Sequence, residues 1–152
     1  EKMPDIHIAE AQKCDSHDIF TWRNDLTTRK MFFNQELVSW DDHVEWFEKS
    51  LNNNSRKMLI GMLDSHKIGI VRFDIVNNNA TISINLNPEF RGKNLASQLL
   101  ILAEKHIPNI VIELSAEIKK NNEASVKTFK KSGYIFHSCD NETVVYKKRI
   151  KN

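Results

Sequence analysis

Three strand-like runs follow one another between residues 57 and 86, and a helix-length apolar segment comes shortly after them. The runs read "KMLIGML", "KIGIVRFDIV" and "TISINL". Asp64-Ser65 separates the first two and "NNNA" the last two. Asn and Asp tolerate the positive φ that tight turns need, so each break is a turn between antiparallel strands. A meander of this kind has a face to bury, and the segment from Gly92 to His106 can cover it, with Leu95, Leu99, Leu102 and Ala103 on its inner side. Pro108 stops that helix.

The remaining elements read outward from this block. "DIHIA" at residues 5–9 alternates like a short strand. A helical segment starts at Ser16, with Ile19, Trp22 and Leu26 at helical spacing. A second starts at Ser39, where Ser39 and Asp42 form a capping-box pattern and Trp40, Val44, Phe47 and Leu51 share a face. "IVIELSAEI" is too continuously apolar for an edge and reads as an interior strand. A helix over residues 122–132 ends at Gly133. "YIFHSC" and "TVVYKK" form a hairpin around Asp140-Asn141. The order β, α, α, β, β, β, α, β, α, β, β predicts one mixed α/β domain over residues 1–152. Its sheet is largely antiparallel, with six to seven strands flanked by about four helices.

The bulk numbers exclude several classes. A net charge of +2 is too small to indicate a nucleic-acid protein, and the basic tail "KKRIK" reads as the exposed end of a last strand. No apolar run approaches a membrane span, and no signal-peptide pattern opens the chain. Two cysteines, Cys14 and Cys139, give neither a disulfide framework nor metal-ligand spacing, so a cytoplasmic location without metal is expected. Cys139 is expected to be a buried, inert thiol. The chain begins with Glu1, which leaves open that it is a piece of a longer protein. Oligomeric state is not legible.

The turn before the covering helix carries the first chemical signal. A strand, then "FRGKN", then a helix make an anion site, because the first N–H groups of a helix lack internal partners and sit at the positive end of its dipole. Gly92 allows close approach, and Arg91 and Lys93 add charge. The spacing fits neither a Walker loop nor the dinucleotide GxGxxG.

Arg91-Gly92-Lys93-Asn94-Leu95-Ala96 resembles the acetyl-CoA loop of the GCN5-related N-acetyltransferases, (Q/R)xxGx(G/A). Asn94 departs from the pattern where glycine is usual, but Asn is the non-glycine residue most tolerant of left-handed φ. "NEASVKTFKKSGY", starting at Asn122, resembles the later segment N-x-x-A-x-x-x-(Y/F)-x-x-x-G-(F/Y) of the same family. "WRNDLTTRKMFFNQELVSWDDHVEWF" is similar to a narrower group that includes acetyltransferases of bacterial amino-sugar pathways and, in part, ribosomal-protein acetyltransferases.

That resemblance implies acetyl-CoA as co-substrate, held by Leu86, residues 91–96, Asn122, Ser125 and Phe129. It implies that Glu117 removes a proton from the incoming amine and that the backbone N–H of Leu86 polarises the thioester carbonyl. Many relatives carry a tyrosine at the position of Phe129 that protonates the leaving thiolate. Phenylalanine cannot do so, which leaves Tyr134, Tyr146, water or unassisted departure. Asn122 is equally a helix N-cap, and Phe129 reads as core.

Candidates for the acceptor wall are Trp22, Arg23, Asn24, Arg29, Phe32, Phe33, Asn34, His43 and Trp46. Aromatic faces pack on rings and Arg reads phosphates. The expected activity is therefore N-acetylation of a small primary amine, most plausibly on a nucleotide-linked amino sugar. A protein α-amine or lysine acceptor, or a domain that only binds acyl-CoA, are the alternatives.

Overall fold

A computed structural model describes residues 4–151. Its elements are β1 (Ile6–Glu10), α1 (Ser16–Asn24), α2 (Leu26–Lys30), α3 (Trp40–Leu51), β2 (Arg56–Leu63), β3 (His66–Val76) and β4 (Asn79–Leu86). There follow α4 (Ala96–Glu104), β5 (Glu113–Lys119), α5 (Glu123–Lys131), β6 (Ile135–Cys139) and β7 (Thr143–Arg149). The strands form one seven-stranded sheet in the order β1-β2-β3-β4-β5-β7-β6. All neighbours are antiparallel except β4 and β5.

Side-chain alternation divides the sheet into two cores. Leu59, Val71, Phe73, Ile82, Leu114 and Ala116 face α4 and α5, where Leu95, Leu99, Leu100, Ala103 and Phe129 complete the larger core. Met58, Ile60 and Ile70 face the opposite way, against Ile19 and Trp22 of α1 and Phe47 of α3. Strand residues one apart thus feed different cores, as the period of two requires.

The seam between β4 and β5 is incomplete. Only Asn79–Glu113, Ala80–Leu114 and Thr81–Ser115 are paired. Beyond these rows the two strands diverge, and the sheet is split at its middle.

Four expectations are corrected. The helix expected to begin at Gly92 begins at Ala96, because Gly92 (φ 72°) and Asn94 (φ 59°) are both left-handed and cannot sit in a helix. The helix from Ser16 stops at Asn24: Asp25 turns to ψ 134° and its side chain caps a separate five-residue helix, α2. Leu26 is consequently exposed, and the break brings the described residues to five α-helices. The strand expected over residues 110–118 starts at Glu113, with Ile110 exposed. Cys139 is exposed, since all five residues of the outermost strand β6 face solvent. Among the described residues no helix is long and apolar enough to cross a membrane.

Candidate active site

A cleft of about 560 Å³ occupies the split. Residues 81–85 of β4 and residues 117–119 of β5 are its lips. On the α4/α5 side it reaches Asn122, Ser125 and Phe129. On the α1/α3 side it reaches Arg23, residues 31–34 and Trp46, with Arg72 and Asp74 of β3 beneath them. The cleft therefore passes through the sheet.

Backbone register equips one lip with donors. Asn87 N–H bonds Ile68 C=O at 2.9 Å, and the ladder pairs Gly69 with Leu86 and Ile70 with Asn85. Hydrogen-bonded rows alternate in an antiparallel pair, so the N–H groups of Asn85 and Asn87 point at β3. Those of Ile84 and Leu86 point the other way, across the gap left by β5. Leu86 itself lies just past the residues that line the cleft, whereas Ile84 lines it.

The loop between β4 and α4 forms an anion cradle. Asn94 is left-handed and Leu95 is right-handed (φ −92°, ψ −24°), an alternation that turns successive N–H groups to one side. No side chain caps the N-terminus of α4, so its first donors remain open to a phosphate. A Cβ built at Gly92 would meet nothing within 4 Å, and Lys93 is exposed beside it. The Arg91 side chain, however, turns away. It bonds Asp25 and Thr28 on the opposite layer and is not free to meet a phosphate. The fit to acetyl-CoA rests on backbone amides and Lys93.

Glu117 alternates with the core residues Ala116 and Ile118 and presents its side chain to the cleft. Among the described residues its carboxylate has no hydrogen bond or ion pair, with Lys119 or Lys120 or any other group. Asn122 caps α5 by accepting from the Ser125 N–H at 3.2 Å, and it still borders the cleft. Phe129 is buried, edge-to-face with Tyr134 at 4.9 Å.

The α1/α3 side is aromatic and cationic. The guanidinium carbons of Arg23, Arg56 and Arg72 lie 5.3, 5.8 and 5.8 Å from the Trp46 ring centroid. Arg56 and Arg72 share Asp74, at 2.6 and 3.1 Å. Arg23 has no carboxylate within ion-pair distance among the described residues. Burial, and then the charge of Arg72, lower its pKa, which means that it would gain from an anionic partner.

Several expected site residues lie elsewhere. Trp22 is 4% exposed and His43 fully buried, so neither is acceptor wall. His43 stacks on Phe47 and places Nε2 2.9 Å from Ser16 C=O. Asn24 pins the α2–α3 connection, bonding both C=O and N–H of Val38 at 2.8 and 2.9 Å. Arg29 donates to Asn24 C=O and Gln35 C=O at 3.2 and 3.3 Å, inside the same connection. Tyr134 is buried and donates to Glu104 Oε2 at 2.8 Å, away from the cleft, and Tyr146 is buried too. Neither tyrosine lines the cleft. Arg23, Phe32, Phe33, Asn34, Trp46, Glu117, Asn122, Ser125 and Phe129 do meet in one cleft.

Among the cleft residues not anticipated are the polar Arg72, Asp74, Thr81, Ser83, Asn85 and Lys119, with Met31 and Ile84. A signal existed: "IVRFDIV" and "TISIN" alternate apolar and polar residues on strands central to the sheet. A polar face in mid-sheet marks a place that no helix covers.

A half-paired strand seam beside an uncapped helix N-terminus fits the acyl-CoA-dependent transferase that the sequence motifs imply. A family model described as an acetyltransferase (GNAT) domain matches residues 6–135, and the chain belongs to that family. It is 21% identical over 140 residues to the spermidine N(1)-acetyltransferase of Escherichia coli K12, covering 87% of this chain and 75% of that protein. It is 28% identical over 121 residues to the putative phosphinothricin acetyltransferase YwnH of Bacillus subtilis, covering 74% and 73%. Its fold matches that of the spermidine N-acetyltransferase from Vibrio cholerae, solved with CoA and spermine. That match has a TM-score of 0.85 at 17% identity and covers 95% of each chain. The protein is an acetyl-CoA-dependent N-acetyltransferase.

Proposed function

We propose that the acceptor amine belongs to a small anionic molecule, and specifically to a nucleotide-linked amino sugar. The observation that carries this reading is Arg23, a half-buried guanidinium above Trp46 with no carboxylate of its own. A planar base packs on Trp46 or Phe33, a phosphate answers Arg23, and the saturated ring reaches the gap between the lips.

The polyamine acceptors named for two relatives would meet a less suitable wall. Arg23, Arg72 and Lys119 line the cleft against Asp74 and Glu117, and Asp74 is already held by two arginines. A chain of ammonium groups is repelled by such a wall unless carboxylates outnumber its cations.

In the proposed reaction Glu117, directly or through water, takes the proton of the attacking ammonium. The amine nitrogen bonds the thioester carbonyl carbon, and the developing oxyanion is met by the backbone N–H of Ile84 or Leu86. One such donor lowers the barrier by roughly 3 kcal/mol. The C–S bond then breaks. Phe129 has no proton to give and the Tyr134 hydroxyl is held by Glu104, so the thiolate leaves unassisted or takes a proton from water or from Tyr146.

The test is a thiol-release assay with acetyl-CoA against a nucleotide-linked amino sugar, the free amino sugar, spermidine and a ribosomal-protein N-terminal peptide. The nucleotide-linked sugar is expected to show kcat/KM at least roughly tenfold above the free sugar, about 1.4 kcal/mol of transition-state binding. Equal rates on the two sugars, or turnover of spermidine or the peptide alone, would overturn the reading.

A further inference from the structure

Arg91 introduces the cofactor loop but its guanidinium serves another layer of the molecule. Nη2 lies 2.5 Å from Asp25 Oδ2 and also donates to Thr28 Oγ1. Asp25 is the N-cap of α2, and the same Oδ2 accepts from the Thr28 N–H at 3.0 Å. Burial alone would raise the Asp25 pKa. The hydrogen bonds from Arg91 and from the Thr28 N–H, with the charge of Arg91, outweigh it and hold the carboxyl below the usual carboxylate range. The bridge is thus charge-assisted on both sides.

What α2 carries makes this contact consequential. Residues 31–34 follow it directly and roof the cleft on the α1/α3 side. The other side-chain bonds of this segment, those of Asn24 and Arg29, close on the segment itself. Among the described residues, the side-chain hydrogen bonds that reach residues 25–38 from beyond the α1–α3 region all come from Arg91. Its backbone, in turn, abuts Gly92 and the cradle of amides.

We propose that Arg91 is a positioning residue which fastens the roof, residues 26–34, to the loop that receives acetyl-CoA, so that filling the loop orders the roof. The cofactor then conditions the acceptor side, and occupancy of one half of the cleft favours binding in the other. The inference rests on the cleft being the site of transfer, but not on which amine is accepted.

Hydrogen exchange with CoA as probe tests it without an acceptor. In the wild type, saturating CoA is expected to slow amide exchange over residues 26–34 by roughly tenfold or more. Asp25→Asn keeps a good N-cap for α2 while removing the charge that Arg91 meets, and Arg91→Gln removes the other partner. Both variants are expected to bind CoA within roughly threefold of the wild type by calorimetry and to lose the slowing. Unchanged exchange on CoA binding in the wild type would overturn the proposal, as would slowing that persists in both variants. A loss of CoA affinity above roughly tenfold in Arg91→Gln but not Asp25→Asn would make Arg91 a phosphate ligand instead. A nucleotide-linked sugar that fails as substrate leaves these outcomes untouched.

Discussion

The Tyr134 hydroxyl donates to Glu104 Oε2 at 2.8 Å, while Lys148 Nζ holds Glu104 Oε1 at 2.7 Å. Burial and then the charge of Glu104 raise the Tyr134 pKa, so its proton is held fast. Tyr134→Phe is therefore expected to cost stability, about 1–2 kcal/mol for a lost bond to a buried carboxylate. The pH profile of acetyl transfer should keep its shape. Thermal melting and kcat against pH measure the two effects, and a loss of turnover at constant stability would restore Tyr134 to the chemistry.

Glu117 is the carboxylate that faces the gap without a partner. Glu117→Gln should lower kcat roughly 10²–10⁴-fold near neutral pH, as removal of a general base does. CoA affinity should stay level, because the anion cradle lies on the β4–α4 loop and Glu117 on β5. Raising the pH should recover part of the rate as free amine replaces ammonium. Near-wild-type turnover across pH would remove Glu117 from the mechanism.

Arg23 and Arg29, alike in sequence, should behave differently. Arg23→Ala should erase the preference for the nucleotide-linked sugar and spare the free sugar, a loss on the scale of about 1.5–3 kcal/mol for a bond to a charged group. Arg29→Ala loosens the connection that it staples and should weaken binding of both sugars alike. Steady-state kinetics on the two sugars separates the patterns.

At Asn94, with φ 59°, backbone handedness decides the outcome. Asn94→Gly should leave CoA binding level or tighter. Asn94→Ala should destabilise the loop by about 1 kcal/mol, the cost of a left-handed alanine, and weaken CoA. If Asn94→Gly abolishes CoA binding in calorimetry, the cradle is not built from the loop amides.

His43 predicts a pH dependence of stability. With Nε2 donating to Ser16 C=O and Nδ1 buried without a partner among the described residues, the ring is neutral. Burial lowers its pKa against the bond to Ser16, with Arg23's charge adding to the lowering. The folded value lies below the ordinary 6.5, so the unfolded chain takes up its proton first as pH falls. Stability should be complete above about pH 6.5 and decline below it until the folded ring also protonates. The difference in Tm between pH 7.5 and 5.5 should shrink in His43→Gln. An equal difference in both proteins would mean that other groups set the acid limb.

The meander, the covering helix and the anion turn were legible because each depends on neighbours in sequence: alternation, caps and turn residues. The Ser39 cap and the Asn122 cap sit where the pattern put them. The acceptor wall was less legible. Trp22, Phe33 and Trp46 are chemically alike in a sequence, yet Trp22 packs into the core while Phe33 and Trp46 line the cleft. Arg91 misled for a similar reason. Its position in the loop suggested phosphate, whereas its partner stands 66 residues away. Arg72 and Asp74 read as ordinary strand residues in the sequence, and the split of the sheet makes them cleft lining.

Three paired rows and then a gap make β4 and β5 less a wall than a doorway with two thresholds. A thioester arriving over α4 and α5 and an amine arriving under α1 and α3 do not compete for the same entrance. In the proposed reaction both are in place together, and acetyl crosses from sulfur to nitrogen without resting on the protein. The kinetic expectation is a ternary complex with intersecting double-reciprocal lines, and parallel lines would overturn it. Under that reading the exposed thiol of Cys139, out on the outermost strand of the sheet, carries no acyl group.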